Sequence, residues 1–349
     1  MNTFADFIVL LASNPLLAVS MALVLGTIFV NGATDAANSI AEAVGTRAIS
    51  FPKAIAMAVV CEFAGLAISV NISTAVADTI DHMVDFGGDP HTALIALCAA
   101  MVGIVVWGCA AWAFGIPTSE SHALIAGLTG AAIALQGGIA GINWAEWSKV
   151  LWGLVLSVTL GVALGFCTTR AIRWLFVNLT NREAGILFAR VQVAGAGFGA
   201  FMHGAQDGQK FLSTAMLAVM LATGDNTLTQ NGYPIWLMAL CATVLSLGVA
   251  SGGARIVKTV GTGVVSMEKY QGAAASLSAG ISLMLATLWG LPVSTTNTKT
   301  ASIVGAGCSK SPRTVNWGVA REMVLTWVLT FPGCGAIGYA LARVFLHIF

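Results

Sequence analysis

The sequence predicts an all-α polytopic membrane protein with about ten to twelve transmembrane segments, including broken or re-entrant half-helices, built as two inverted-topology repeats. The first observation is composition: of 349 residues, 57% are hydrophobic and 9% are charged, and the mean hydropathy is +0.85. A soluble domain has about 25% charged residues. This composition excludes a disordered chain, a nucleic-acid-binding protein and an ordinary cytosolic enzyme.

The second observation is a series of stretches without Asp, Glu, Lys or Arg. Most match or exceed the roughly 20 residues that a spanning helix needs. Shorter runs at 63–77, 191–206 and 211–224 become spans if they include an intramembrane charge. No alternation of period two appears, which disfavours a barrel and leaves helices. The long stretches are 7–34, 92–119, 121–145, 150–169, 226–254, 270–298 and 323–342.

The third observation is a pair of short phrases that each occur twice. Gly32–Asp35 (GATD) recurs as Gly204–Asp207 (GAQD). Gly115–His122 (GIPTSESH) recurs as Gly290–Asn297 (GLPVSTTN). The phrases keep their order, and the spacing between them is nearly equal in the two halves. This pattern predicts an internal duplication.

Loop charges predict that the two halves have opposite orientations. In the first half, loop 46–53 carries Lys and Arg, whereas loop 75–91 carries acidic residues and no Lys or Arg. In the second half the order is reversed, with an acidic loop at 224–233 and a basic loop at 253–269. Basic loops stay cytoplasmic. We therefore expect a first inverted repeat, a cytoplasmic connector and a second inverted repeat, at 1–176, 177–190 and 191–349.

The second phrase predicts a helix start within each half. Pro117 and Pro292 interrupt apolar runs, and the serines two residues later are good N-caps for new half-helices. A helix N-terminus offers unpaired N–H groups and a positive dipole end, which favour an anion. The sequence therefore predicts a site for a small multivalent oxyanion, although these hydroxyls could also serve only for capping or helix packing. The predicted lining is Ser119, Ser121, Ser294, Thr295 and Thr296.

The first phrase places Asp35 and Asp207 at membrane depth, where a carboxylate is costly and indicates function. Beside an anion site, two carboxylates make sense if they hold cations or protons that travel with the anion. The flanking glycines permit unwound backbone, whose carbonyls suit a sodium ion. The alternative is structural: an ion pair between Asp207 and Lys210, or a cap on a broken helix.

Further polar residues adjoin these phrases. Asn38 lies one turn after the first aspartate and could complete a cation shell. Lys210 holds the matching place after the second and could stand in for a cation or touch the anion. Glu62, a lone carboxylate in an apolar segment, is equally open to a functional or structural role. For His122 and His203 we expect hydrogen-bonded packing, since no cluster has metal-ligand spacing.

These phrases resemble the signatures of the inorganic phosphate transporter (PiT) family. Gly32–Ser39 (GATDAANS) and His203–Lys210 (HGAQDGQK) are similar to its paired GAND-type motifs. Gly115–Ala123 and Gly290–Thr298 are similar to its two GIPxSxTH-type motifs. The resemblance implies inverted repeats with broken or re-entrant helices, a homodimer, and phosphate uptake driven by sodium or protons.

By position, the resemblance implies one shared site for phosphate and coupling cation. It implies that Asp35 and Asp207 serve cation coupling and the substrate site, that Ser119, Ser294 and Thr295 contact phosphate, and that the residues beside the aspartates line the same site. Taking the residues and the resemblance together, we expect the phosphate site to comprise Thr34, Asp35, Ser119, Ser121, Gln206, Asp207, Ser294, Thr295 and Thr296. We expect the coupling cation, with sodium at the two aspartates, at Asp35, Asn38, Asp207 and Glu120, with accessory roles for Glu62, Lys210 and Asn297.

The chain also departs from the family pattern. Thr34 and Gln206 replace the Asn of the first motif, and both can still form hydrogen bonds. Glu120 replaces a Thr, and a carboxylate there repels phosphate unless it is protonated, faces away or binds a cation. Asn297 replaces a His. Lys299 follows closely and could offset the charge of Glu120.

We therefore expect a secondary active transporter, not an enzyme, that imports inorganic phosphate by cation-coupled symport with alternating access. Sodium is favoured over protons, and no cofactor is expected. The alternatives are proton-coupled symport, a sulfate or other oxyanion permease, a channel, and an intramembrane enzyme using Ser119 and His122. The absence of a long hydrophilic central insertion favours a prokaryotic-type, multi-pass protein of the cytoplasmic membrane, with the lipid bilayer as its surroundings.

Overall fold

The computed structural model describes residues 3–87, 89–114, 118–225, 228–229 and 232–349. Over these residues the chain is nearly all helical, with fourteen α-helices, no strand and two isolated β-bridges. The predicted all-α class is confirmed. The helices are α1 (Phe4–Ser13), α2 (Pro15–Thr34), α3 (Ala36–Gly45), α4 (Phe51–Ile72), α5 (Ala75–Asp81), α6 (Pro90–Phe114), α7 (Glu120–Gln136), α8 (Trp144–Leu175), α9 (Asn181–Thr223), α10 (Ile235–Ser251), α11 (Ala254–Lys258), α12 (Lys269–Leu288), α13 (Thr295–Lys310) and α14 (Trp317–Ile348).

Seven helical stretches within the described residues are long and apolar enough to cross a membrane. They are the α2–α3 pair, α4, the first 22 residues of α6, and α8, α9, α12 and α14. The shorter α7 and α13, of 17 and 16 residues, begin at buried serines. At 1.5 Å per residue these two helices are too short for a full span. The chain is thus a polytopic helical protein that also contains half-helices.

Each half-helix packs against a long helix from the other half of the chain. The half-helix α7 of the first half packs along α14, and α13 of the second half packs along α8. Both long partners have 32 residues and start at an asparagine N-cap, Asn143 or Asn316. This reciprocal arrangement is what a duplicated chain would form. The opposite membrane orientation of the halves stays a prediction.

The longest helix, α9, has 43 residues and starts inside the connector predicted at 177–190. Thr180 and Glu183 form a capping box that begins the helix there. The helix continues through Asp207 without interruption, so the expectation of unwound backbone at this residue is wrong. In the first half, Asp35 separates α2 from α3 with φ −80° and ψ −34°, which is still helical. Neither aspartate therefore lies in extended backbone.

The glycines beside Asp207 serve helix crossing instead of unwinding. A Cβ on Gly204 would overlap the carbonyl oxygen of Glu62, and one on Gly65 would overlap that of Phe201. The backbones of α4 and α9 therefore touch at this crossing, where only glycine fits. This contact brings Glu62 beside the α9 residues that form the site.

Replacing Gly204 by alanine is expected to destabilise the protein by about 1–3 kcal/mol or more, because the added methyl group overlaps backbone that cannot rotate away. The matched control is Gly185→Ala in the same helix, where a Cβ meets nothing within 4 Å. Alanine there should stabilise by up to about 1 kcal/mol through helix propensity. Thermal unfolding in detergent measures both variants, and equal melting temperatures would contradict the close crossing.

Candidate functional site

The half-helices α7 and α13 start with matching serine caps. Ser119 Oγ accepts the N–H of His122 at 3.3 Å, and Ser294 Oγ accepts the N–H of Asn297 at 3.1 Å. Both serines are buried. The predicted helix starts near these serines are confirmed, while Pro117 lies outside the described residues. Two helix N-termini, whose first backbone N–H groups have no partner within their own helix, thus lie inside the protein.

The carboxylate of Asp207 is the hub of the buried cluster. Its neighbours come from α2, α7, α9 and α13, so it joins elements of both halves. The groups around it are Asn31 Nδ2 at 3.3 Å, Ser121 Oγ at 3.0 Å, Lys210 Nζ at 2.7 Å, Thr295 Oγ1 at 3.2 Å and His203 Nε2 at 3.2 Å. A carboxylate so surrounded accepts hydrogen bonds from charged and neutral donors of four helices, and the charge-assisted ones are the strongest of these.

Asp35 lies close to this hub but has fewer partners. Its Oδ2 accepts the N–H of Glu120, the first residue of α7, at 3.2 Å. Ligand atoms of Asp35, His203 and Asp207 lie within 4.8 Å of one another. Within the described residues, no Lys, Arg or His nitrogen lies within 4.0 Å of the Asp35 carboxylate. The two aspartates are therefore neighbours with unequal charge compensation.

Lys210 is fully buried and is surrounded by oxygen atoms. Its Nζ donates to Asp207 Oδ1 at 2.7 Å, to Ser121 Oγ at 2.7 Å and to the backbone oxygen of Val293 at 2.6 Å. The ion pair with Asp207, one of the alternatives from the sequence, is confirmed. At the matching place in the first half, Asn38 Nδ2 donates to Thr296 Oγ1 at 2.9 Å.

His203 spans two carboxylates, which differs from the packing role expected for it. Its Nδ1 lies 3.1 Å from Glu62 Oε2, and its Nε2 lies 3.2 Å from Asp207 Oδ2. An imidazole donates from both nitrogens when it is protonated. His122 packs with its ring 4.5 Å from the ring of Phe331, centroid to centroid, but its buried Nδ1 has no hydrogen-bond partner among the described residues, so only the packing part of the expectation is met.

Glu120 and Lys299 do not pair, so the expectation that Lys299 offsets Glu120 is wrong. Lys299 faces α3 instead, where its Nζ lies 2.5 Å from Glu42 Oε1 and 3.2 Å from the backbone oxygen of Ser39. The Glu120 side chain packs against Gly108 of α6, where a Cβ would lie 2.6 Å from Glu120 Oε1. Glu120 lies on α7 and contacts α6, whereas Lys299 lies on α13 and contacts α3.

Three other residues singled out from the sequence form no hydrogen bond with the aspartates in the described part of the chain. The hydroxyl of Thr34 donates to carbonyls of its own helix. Gln206 Nε2 donates to Thr287 Oγ1 at 3.0 Å and to the backbone oxygen of Leu291 at 3.1 Å. The side-chain amide of Asn297 is buried and has no hydrogen-bond partner in the described part of the chain. Their roles in binding stay predictions.

Asn31 at the hub is a residue that the sequence analysis missed. It immediately precedes the first GATD-type phrase, just as His203 immediately precedes the second. Both side chains reach Asp207. Extending the repeated phrase by one residue toward the N-terminus would have identified the pair, although the residue types differ.

One cavity adjoins the cluster, and a second lies farther along α9. The inner one has a volume of about 10 Å³, close to what one water molecule requires. The other, of about 540 Å³, is more open and lies against residues of the acidic loop 75–91. The inner cavity is lined by polar residues of both halves, including Asp35, Asn38, Ser39, His203, Thr295 and Lys299.

Asp81 links the larger cavity to α9. Its carboxyl group accepts hydrogen bonds from Ser213 Oγ at 2.5 Å and from the hydroxyl of Tyr233 at 2.7 Å. Burial raises the pKa of Asp81 to about 6, against the opposing effect of these two hydrogen bonds. Ser213 comes three residues after Lys210 and so lies on the same side of the helix. Polar groups therefore continue from the larger cavity toward the aspartate cluster.

Known proteins resemble the chain over nearly its whole length. Residues 31–338 match the "Phosphate transporter family". A "Probable low-affinity inorganic phosphate transporter" of Bacillus subtilis (strain 168) is 35% identical over 323 residues, covering 92% of this chain and 94% of the relative. A protein of the same description from Rhizobium meliloti (strain 1021) is 34% identical over 330 residues, covering 93% and 94%.

A solved structure also has this fold. "The sodium-dependent phosphate transporter" superposes with a TM-score of 0.85 at 23% identity, covering 96% of this chain and 100% of the other. The seven long apolar helices agree with a protein that crosses the cytoplasmic membrane several times. These findings, together with the four motifs, exclude the intramembrane enzyme considered from Ser119 and His122. The chain therefore belongs to the phosphate transporter family and is a multi-pass transporter of the cytoplasmic membrane.

Proposed function

We propose that this protein imports inorganic phosphate by sodium-coupled symport, with alternating access between its two halves. The observation that carries the proposal is the convergence of two helix N-termini on two intramembrane aspartates. Thr295, the first residue of α13, donates to Asp207, and so does Ser121 in the first turn of α7. The first N–H of α7 donates to Asp35. Donors suited to an oxyanion thus meet carboxylates suited to a cation.

The proximity of the two aspartates gives a physical reason for coupling. Phosphate is a mixture of monoanion and dianion at neutral pH, and a carboxylate within a few ångströms repels either form strongly in a buried site. In this conformation Asp35 and Asp207 themselves accept hydrogen bonds from the helix N-termini. A sodium ion that binds the carboxylate oxygens removes this repulsion, so that cation and phosphate favour each other's binding.

The small inner cavity supports alternating access. Its volume of about 10 Å³ is too small for phosphate, so substrate entry requires the helices around Asp207 to separate. The hydrogen bonds that close the cluster join α9 of the second half to α2 and α7 of the first, and Asn38 of α3 in the first half donates to Thr296 of α13 in the second. Relative movement of the halves would break this set on one side of the membrane at a time.

Protons are the alternative coupling ion, and one contact favours them. His203 lies between Glu62 and Asp207, at 3.1 Å and 3.2 Å, so a proton on this imidazole would be shared by two carboxylates. Two observations favour sodium. The solved relative is described as sodium-dependent, and oxygen atoms, which hard cations prefer, surround Asp35. Sulfate as the cargo is tested by the competition experiment below. The homodimer that the family resemblance implies stays a prediction.

The test is uptake of radiolabelled phosphate into proteoliposomes that carry either an inward sodium gradient or an inward proton gradient. We expect accumulation above equilibrium with sodium alone, because sodium neutralises the carboxylates at the site. Unlabelled sulfate in excess should compete poorly, since it has no proton to donate to the aspartates.

Protein-free liposomes and choline in place of sodium serve as controls. Accumulation with the proton gradient alone would replace sodium by protons in this proposal. Strong competition by sulfate would change the cargo. Absence of accumulation under either gradient, in protein that elutes as a single folded species, would overturn phosphate symport altogether.

A further inference from the structure

We propose that the ammonium group of Lys210 permanently occupies one of two matching cation positions, so that each chain binds a single mobile sodium ion, beside Asp35. This inference rests on the proposed sodium-coupled function and specifies its stoichiometry. It also differs from the expectation that sodium binds at both aspartates. Asp207 then has a structural cation, and Asp35 alone serves the mobile one.

The surroundings of Lys210 are those of a bound cation. All three atoms that its Nζ contacts are oxygens, at 2.6–2.7 Å, and they come from a carboxylate, a hydroxyl and a backbone carbonyl. Carboxylate and carbonyl oxygens are also the groups that hard cations prefer. The oxygens belong to Asp207 in α9, Ser121 in α7 and Val293 just before α13. A second cation there would meet a charge of its own sign.

One of these contacts recurs in the first half without the lysine. In the repeated phrases Asn38 stands where Lys210 stands, and Thr296 stands where Ser121 stands. The contact is kept as well, since Asn38 Nδ2 donates to Thr296 Oγ1 at 2.9 Å, as Lys210 donates to Ser121. Asn38 therefore takes the structural place of the lysine but brings no positive charge.

The amide oxygen of Asn38 points to a ligand. Asn38 is 2% exposed, and its Oδ1 has no hydrogen-bond partner among the described residues. A buried acceptor without a donor is costly. Asn38 and Asp35 both line the inner cavity, whose volume of about 10 Å³ suits a single small ion. A sodium ion at this position would satisfy the amide oxygen and the carboxylate together.

The pairing of the buried charges also indicates a cation beside Asp35. Three of the carboxylates around the site have a basic side chain within 4.0 Å, as the pairs Asp207–Lys210, Glu42–Lys299 and Glu62–His203. Asp35 has no such partner in the described part of the chain. A buried carboxylate without a counter-charge is strongly disfavoured. Glu120, the neighbour of Asp35, is buried and also lacks a basic partner among the described residues. The demand for a mobile cation therefore falls beside Asp35 and not on Asp207.

The experiment is equilibrium binding of radiolabelled sodium to the purified protein in detergent, with and without inorganic phosphate. We expect the wild type to bind one sodium ion per chain. Lys210→Asn gives the second half the residue of the first, so this variant should bind two. Asn38→Lys gives the first half a fixed cation, so this variant should bind none, and the double exchange should restore one.

A second measurement does not depend on transport. In Lys210→Asn the buried Asp207 has lost its lysine, so sodium should raise the melting temperature of this variant much more than that of the wild type. Choline chloride at equal concentration controls for ionic strength. The matched control is Lys310→Asn, which removes a lysine from an exposed ion pair with Glu268 and should still bind one sodium ion.

Two or more sodium ions on the wild type, or an unchanged count in a folded Lys210→Asn variant, would overturn this inference. Absence of sodium binding to a wild type that transports phosphate would also overturn it. These results differ from failure of the proposed function, in which the wild type accumulates no phosphate under any gradient. If Lys210→Asn does not fold, the wild-type count and the loss expected in Asn38→Lys still decide the question.

Discussion

Asp207→Asn is expected to abolish phosphate uptake and to destabilise the protein by about 3–5 kcal/mol, the usual cost of removing one partner from a buried ion pair. The side chain that replaces the carboxylate has nearly the same shape but no charge. Lys210 would then be buried with no carboxylate within contact distance, among oxygens that only partly stabilise it. The NH2 group of the new asparagine would also face some of the donors that now form hydrogen bonds with the Asp207 carboxylate.

The measurement combines uptake into proteoliposomes with thermal unfolding in detergent. Asp78→Asn is the matched control, because Asp78 is an exposed aspartate at the start of α5 and its replacement should change neither quantity. A variant with wild-type stability would show that Asp207 does not hold α2, α7 and α13 to α9. Normal uptake would remove Asp207 from the transport site.

Asp35→Asn should abolish coupled uptake while leaving the fold intact. The asparagine oxygen can still accept the N–H of Glu120, and no ion pair is lost within the described residues. Removing a buried charge that has no counter-charge costs little and can even stabilise. Transport should fail because the amide lacks the negative charge that holds the mobile cation, and phosphate then has no cation to enter with.

The check is sodium-driven uptake together with the melting temperature measured with and without sodium. Wild-type protein should be stabilised by sodium, and Asp35→Asn should have lost this response while melting at a similar temperature in choline. Retention of sodium-driven uptake would contradict a role for Asp35 in coupling. The two aspartates, which occupy matching places in the sequence, should therefore behave differently when replaced.

This difference shows where prediction from sequence ends. The repeated phrases make the two aspartates look equivalent, although the residue one turn later is Asn38 in the first half and Lys210 in the second. The sequence left Lys210 with three interpretations: an ion pair with Asp207, a stand-in for a cation, or a contact with the anion. The structure confirms the ion pair and adds contacts with Ser121 and the Val293 carbonyl, which are 89 and 83 residues away along the chain.

Glycine near Asp207 illustrates the same limit. In the sequence, Gly204 and Gly208 are compatible with unwound backbone and with close helix packing, because the absence of a Cβ permits both. The structure keeps α9 helical through Asp207, with Glu62 of α4 directly against Gly204. Whether a glycine permits unwound backbone or close helix packing depends on the helix that lies opposite it. The local sequence does not show which helix that is.

The sequence by itself determined the membrane class, the position of the two aspartates beside long apolar stretches and the starts of α7 and α13. These properties are local, because hydropathy, proline and an N-cap serine act on the residues beside them. Only the tertiary structure decided the pairing of charges: Lys210 with Asp207, Lys299 with Glu42, and His203 between two carboxylates. Such pairs depend on which helices pack together and on the direction in which each side chain leaves its helix.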